Sequence, residues 1–261
     1  MLDKVLLGAM TTQEDVAYYE YSNKIINVAK TVIGVIGTVL FPRACYCYAN
    51  NDLSGMRKYY KYALVFTYLI GFASTFGILG VSDLFVSIYY GESFAICGDV
   101  IKVMTPLIVI VELGDIVRSQ YIVPMQKDFL FTLGLILNAI INLIVSSILI
   151  LYIGIYGAVI GSIAAELFGL IYQLLICKKH INIIKTLLYA IPYLIIGLIM
   201  FGVVYLIDRQ NISNQILKLL LEVGCGAVVY LGLSAIFLFC IDKDRYLYIS
   251  EIKGLLTKKN K

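Results

Sequence analysis

Charge is scarce in this chain. Only 15% of its 261 residues are charged, against about 25% in an average soluble domain. That scarcity, with 61% hydrophobic residues and a mean hydropathy of +0.89, excludes a disordered chain, a collagen-like fibre and an ordinary soluble enzyme. Histidine is nearly absent, His180 being the one copy. The six cysteines, at 45, 47, 97, 177, 225 and 240, are scattered, and no CxxC pair occurs. A metal centre is therefore not expected, and the cysteines read mainly as small packing residues of apolar helices. No Walker A, HExxH, GxSxG or DxD-like cluster appears, and no loop is long enough to form a catalytic domain. An enzyme is not expected, nor is any cofactor. The net charge of +4 reads as membrane topology rather than as a nucleic-acid footprint.

What is present is long apolar runs. A helix needs about 20 apolar residues to cross the hydrocarbon core. Seven stretches qualify, at residues 25–48, 59–80, 100–124, 129–153, 157–177, 183–207 and 216–241. Residues 81–99 read as the longest connection, an interfacial turn rich in tyrosine. Arg43, Arg57, Lys58 and Lys61 flank the first connection, Arg118 and Lys127 the third, Lys178, Lys179 and Lys185 the fifth. Lys243, Arg245, Lys253, Lys258, Lys259 and Lys261 lie in the tail, so the cations collect on alternate connections. By the positive-inside rule the N-terminus lies outside and the C-terminus in the cytoplasm.

The first ten residues (MLDKVLLGAM) are too short to span and lack the basic region and cleavage site of a signal peptide. They read as the end of another membrane helix. Thr11 and Glu14 have capping-box spacing, so a helix is expected from about Thr12 straight into the first span. The basic tail (DKDRYLYISEIKGLLTKKNK) suits a short helix lying on anionic lipid.

Ionisable groups inside a bilayer are costly, so each is a functional candidate. The third span carries Glu112, Asp115, Arg118 and Ser119 on one helical arc. They form either a cavity wall with a coupling carboxylate or, the reading ranked first, an ion pair that locks helices together near the interface. The fourth span has a polar stripe of Gly134, Asn138, Asn142 and Ser146, read first as interhelical hydrogen bonding. In the fifth, Gly157, Gly161, Ala165 and Gly169 form a small-residue seam for close packing, while Glu166 and Gln173 are harder to dismiss. Lys30 in the first span, with Asp3 and Lys4, completes the charged set. Pro42 and Pro106 can kink their helices, although membrane helices tolerate proline.

In order along the chain, several segments resemble the polysaccharide-export flippases of the multidrug/oligosaccharidyl-lipid/polysaccharide exporter superfamily. These are LDKVLLGAM (2–10), AYYEYSNKI (17–25), GTVLFPR (37–43), YYGESF (89–94), TPLIVIVELGDIVRSQYIVPMQKD (105–128) and the stretch 138–166. Ala17 departs from the glycine usual in the family, and Ala44-Cys45 stand where a serine is usual. The resemblance implies an all-α polytopic membrane fold: a partial helix and seven spans corresponding to the C-terminal half. Residues 1–177 would form one lobe, 178–241 two trailing helices and 242–261 a cytoplasmic tail, with the N-terminal lobe missing.

It also implies a function. The family flips undecaprenyl-diphosphate-linked oligosaccharide across the bacterial cytoplasmic membrane for capsule, exopolysaccharide or O-antigen assembly. By motif position Lys4, Lys30 and Arg43 are the candidate cavity cations for diphosphate and sugar. Asp3, Glu112, Asp115, Arg118, Asn138, Asn142 and Glu166 are the candidate coupling or cavity polar groups. The implied partners are membrane lipid, the lipid-linked oligosaccharide, a complementary lobe and polysaccharide-assembly proteins, with no nucleic acid. Two alternatives stay open: another exporter of the superfamily, of multidrug or lipid II type, and an inert or structural half-protein.

Overall fold

The computed structural model describes residues 2–210 and 212–238. The tail at 242–261, its cations and the last residues of the seventh predicted span lie outside the described residues. The described chain is built of α1 (Leu2–Met10), α2 (Gln13–Ala49), α3 (Leu53–Tyr89), α4 (Ala95–Met104), α5 (Pro106–Val117), α6 (Asp128–Ile153), α7 (Ile155–Ile176), α8 (Ile183–Leu188), α9 (Ala190–Asp208) and α10 (Gln215–Ile236). Among the described residues six helices, with α8 and α9 taken as one, are long and apolar enough to cross a membrane, or seven with the bent α4–α5 pair counted as one span.

The helices overrun their predicted bounds. α2 and α3 each have 37 residues, about 55 Å at ~1.5 Å per residue, well beyond a ~30 Å hydrocarbon core. The expectation of a long connection at 81–99 is therefore corrected. Residues 81–89 continue α3, and only residues 90–94 turn, around Gly91 at φ +84°. A helix does run unbroken from near Thr12 into the first span, but its capping box is one residue later than the spacing suggested. Thr12 is the N-cap and Asp15 returns the bond. Thr11 instead ends α1, its hydroxyl donating to the Leu7 carbonyl at 2.8 Å. Pro42 lies inside α2 without breaking it.

Pro106 does interrupt its span. It has no N–H to donate to the Lys102 carbonyl. The Thr105 hydroxyl takes that place at 2.9 Å, and the two halves bend by 44°. Lys102 pins the bend from outside, pairing with Asp83 of α3 at 2.6 Å and Asp99 at 3.1 Å. Below α5 the chain widens into a single π turn at residues 118–122, where the Val123 amide reaches the Arg118 carbonyl. The sixth predicted span has a turn at Tyr189 between α8 and α9, yet Ile183–Asp208 together remain one of the six candidate spans.

Packing follows small residues. Gly154 at φ +56° turns α6 into α7 within one residue. A Cβ on Gly157 would meet the backbone of Leu149 and Ile150, and one on Gly161 would meet Ser146. The seam read from the sequence thus lies between α6 and α7. α1 packs on α6 and α7, while α9 and α10 pack on α3. Tyr68, Tyr193, Met200, Val204 and Tyr230 are buried in that second group. Outward, isoleucines, leucines and valines such as Leu151, Ile144, Leu198 and Val223 are exposed, as a lipid-facing surface requires.

The seam sets a stability prediction. Gly161→Leu should cost about 2–3 kcal/mol or more, because the new side chain has only Ser146 and its backbone to enter. Thermal unfolding in detergent would show a clear loss for Gly161→Leu and little change for Gly202→Leu, where no atom lies within 4 Å of an added Cβ.

Candidate functional site

The polar residues of the spans gather in cavities, not at one point. The largest group lies between α2 and α5. A cavity of about 700 Å³ there is lined by Asn27, Lys30, Thr31 and Thr38 of α2. Opposite them stand Glu112 and Asp115 of α5, then Arg118 and Ser119 of the π turn. The helical arc thus faces a cavity, and the ion pair expected to lock helices together forms instead between neighbouring turns of the same segment. Asp115 and Arg118 form an ion pair at 2.7 Å, with Arg118 lying 5.7 Å over the Phe131 ring.

Two glycines permit this approach. A Cβ on Gly34 would sit 3.3 Å from Glu112 Oε2, and one on Gly37 3.3 Å from Ser119 Oγ. Gln120, fully buried, donates from Nε2 to the Gly37 carbonyl at 3.4 Å. Glu112 is only 4% exposed, and Oε2 has no hydrogen-bond partner. A buried carboxylate oxygen left bare is expensive, which makes Glu112 a candidate partner for a proton, a cation or water. Lys30 is partly buried, and its charge is felt by Glu112, Asp115 and Glu166. Among the described residues no ion pair neutralises it. α2 therefore presents a lysine held at a distance from three carboxylates instead of clamped to one.

A second cavity, about 310 Å³, lies where α1 meets α6 and α7, lined by Asp3, Asn138, Asn142 and Glu166 among others. Asp3 accepts from Asn142 Nδ2 at 2.8 Å and from Ser162 Oγ at 2.7 Å. Asn138 stands against Gly169 and beside Glu166. The stripe on α6 is thus partly interhelical bonding and partly cavity lining. Lys4 lies in neither cavity; it pairs with Glu20 of α2 at 3.0 Å.

Arg43 occupies a third recess of about 660 Å³ with Asp52, Lys58 and Tyr59. Its Nη1 donates to the Tyr59 hydroxyl at 3.3 Å. Asp52 caps α3 there, accepting from the Ser54 hydroxyl at 2.6 Å and the Gly55 amide at 2.9 Å. Those bonds hold its carboxyl below the usual carboxylate range. The three candidate cations are thus divided: Lys30 in the α2–α5 cavity, Arg43 in the recess, Lys4 in an ion pair outside both.

Some polar groups escaped sequence reasoning. Gln120, fully buried within the π turn, follows Leu113 and Ile116 at helical spacing on the same buried face, so its position was readable from the apolar period. Glu222 was readable, an acid in the apolar run LLLEVGCG. It is 1% exposed, neither oxygen has a hydrogen-bond partner, and it faces an apolar groove between α3, α9 and α10. Among the described residues no cluster of three or more His, Cys, Asp or Glu is placed to hold a metal ion.

With that geometry in place, the chain can be set beside known proteins. Residues 1–99 match the model of a family described as polysaccharide biosynthesis protein, which bears out the resemblance seen in the sequence. No curated protein matches the chain at a significant level. A solved structure titled "Lipid II flippase MurJ, inward closed conformation" superposes with a TM-score of 0.77 at 19% identity. The alignment covers 91% of this chain and 50% of that one, so the chain spans about half the length of the structure it matches. At that identity the likeness is one of fold. The all-α, multi-pass architecture expected from the sequence is therefore correct.

The α2–α5 cavity is open to a direct check. In a background without the six native cysteines, Lys30→Cys should react with a water-soluble maleimide much faster than Leu198→Cys. Leu198 is half-exposed on the apolar outer face of α9, where no thiolate forms. Equal rates at the two positions would mean that the cavity holds no water.

Proposed function

We propose that this chain is one lobe of a membrane flippase that carries a lipid-linked saccharide across the cytoplasmic membrane. The reading rests on one observation: in a flippase-like fold, a lysine with no ion pair and a buried carboxylate with a bare oxygen share one intramembrane cavity. A lysine in that setting attracts the phosphates of a lipid carrier as a point charge. Arg118 is less available, because Asp115 holds it. Glu112 is the group best suited to respond to the cargo or to a coupling proton, since nothing else bonds its Oε2.

The cargo favoured is undecaprenyl-diphosphate-linked oligosaccharide, in line with the match of residues 1–99 to a polysaccharide biosynthesis family. Fold likeness to a lipid II flippase supports a second reading, a lipid II-type cargo. In either case the cavity is one wall of a route, and a complementary lobe supplies the other. α5 is the part suited to move, with a proline bend above it and a π turn below.

Orientation follows the charges. The connections at residues 50–52, 123–127 and 177–182 share one end of the bundle, beside Arg57, Lys58, Lys127, Lys178 and Lys179. That end is cytoplasmic by the positive-inside rule. Asp83, Glu92, Asp99 and Asp208 lie towards the opposite, outward end.

The test is complementation of a capsule-export mutant by the complete transporter. Lys30→Ala should reduce exported polysaccharide about tenfold or more, the worth of one charge-assisted contact. Lys30→Arg should restore most of it, and Lys4→Ala should change little. Export unaffected by Lys30→Ala would remove the α2–α5 cavity from the cargo route.

A further inference from the structure

A cavity somewhat larger than the one between α2 and α5, about 760 Å³, opens at the basic end, where α3 begins, where the π turn passes and where the α7–α8 connection crosses. Arg57 and Lys61 reach it from α3, and Lys178, Lys179 and Lys185 from the connection and α8. Among the described residues no carboxylate lines it. Among the described residues Arg57, Lys178, Lys179 and Lys185 have no ion pair, while Lys61 lies 5.1 Å over the Tyr189 ring.

The floor of this cavity is built, not incidental. Tyr60 and Tyr68 of α3 both bond Thr186: the Tyr60 hydroxyl lies 3.2 Å from the Thr186 hydroxyl, and Tyr68 donates to the Thr186 carbonyl at 2.9 Å. These bonds tie the short α8 to α3 and fix the lysines around it. Tyr60 packs edge-on against Tyr121 at 5.1 Å. Tyr121 is 1% exposed and lines the cavity, yet its hydroxyl has no partner among the described residues. A buried hydroxyl without a protein acceptor, beneath five cations, is suited to donate to an anion.

We infer that this cavity is a binding site for a phosphate-bearing anion at the basic membrane face, separate from the α2–α5 cavity. Arg57 supplies a planar fork for two phosphate oxygens. The lysines add charge, and Tyr121 donates from the floor. An anionic phospholipid headgroup and a soluble diphosphate share this chemistry. The inference does not depend on transport, since binding needs neither cargo nor a second lobe.

His180 makes the site measurable. It lines the cavity and is the one histidine in the chain. Burial, then the charges of Lys127, Arg57 and Lys179, hold its pKa below the ordinary histidine value. A bound phosphate offsets part of that positive charge and so raises it.

The experiment uses the full chain, without a histidine tag, labelled with ¹⁵N-histidine and placed in phosphatidylcholine nanodiscs. Its single imidazole is titrated by NMR. Adding inorganic pyrophosphate, or replacing part of the lipid with phosphatidylglycerol, should move the midpoint up by about one pH unit. A response to pyrophosphate alone identifies a soluble ligand, a response to phosphatidylglycerol alone a headgroup, and both the shared phosphate chemistry.

In Arg57→Gln/Lys179→Gln the midpoint of the free protein should rise by itself, because two cations are gone, and then respond to neither. Tyr121→Phe, which removes only the hydroxyl, should weaken binding several-fold. No movement of His180 with either anion overturns the proposal, as does a full response in the double variant.

Discussion

A buried carboxylate with one oxygen left unbonded is the constraint on which the arrangement of this bundle turns. Glu112 lies inside a helix that must cross hydrocarbon, and its Oε2 has no partner. Lipid cannot face it, so α5 turns that side towards α2 and encloses a polar space. α2 must then come close without filling it, which places Gly34 opposite Glu112 and Gly37 opposite Ser119 and Gln120. Thr31, Thr38 and Lys30 continue the same polar face, and the outward face of α2 keeps Val28, Val32, Val35 and Val39. One helix thus presents a packed side, a cavity side and an apolar side.

The same economy explains where α5 departs from regularity. Pro106 and the π turn both free backbone groups that the bilayer would not solvate. Thr105 answers the first, and the wider 118–122 turn makes its own longer-range bonds. Between the two breaks sit Glu112 and Asp115, with Arg118 at the start of the turn. This segment is jointed at both ends, and Gln173 of α7 packs against Gly114 behind it.

Much of this was legible in the residues. Apolar runs showed the spans because the hydrocarbon thickness dictates their length. The Gly157–Gly161 seam was legible because only small residues allow helices to meet at backbone distance. Helix ends were less legible: α3 continues to Tyr89, since Ser82 and Asp83 are tolerated once a helix extends past the hydrocarbon. The capping box moved by one residue because Thr11 and Thr12 offer the same chemistry and only the end of α1 separates them. Cavity membership was the hardest to read. Lys4, Lys30 and Arg43 look alike as cations near apolar runs, but Glu20 and Tyr59 occupy two of them, and those contacts are set by which helices become neighbours. Glu222 was visible in its apolar run, but its burial depends on α3 and α9 closing over α10.

The central claim is that the cavity between α2 and α5 receives the phosphate end of a lipid-linked cargo. The most direct measurement is a cryo-electron microscopy structure of the complete transporter in nanodiscs with a diphosphate-linked saccharide lipid. The account predicts diphosphate density within hydrogen-bonding reach of Lys30 Nζ, with Glu112 lining the same volume. Cargo density elsewhere, with Lys30 and Glu112 in contact only with protein or lipid tails, would contradict it.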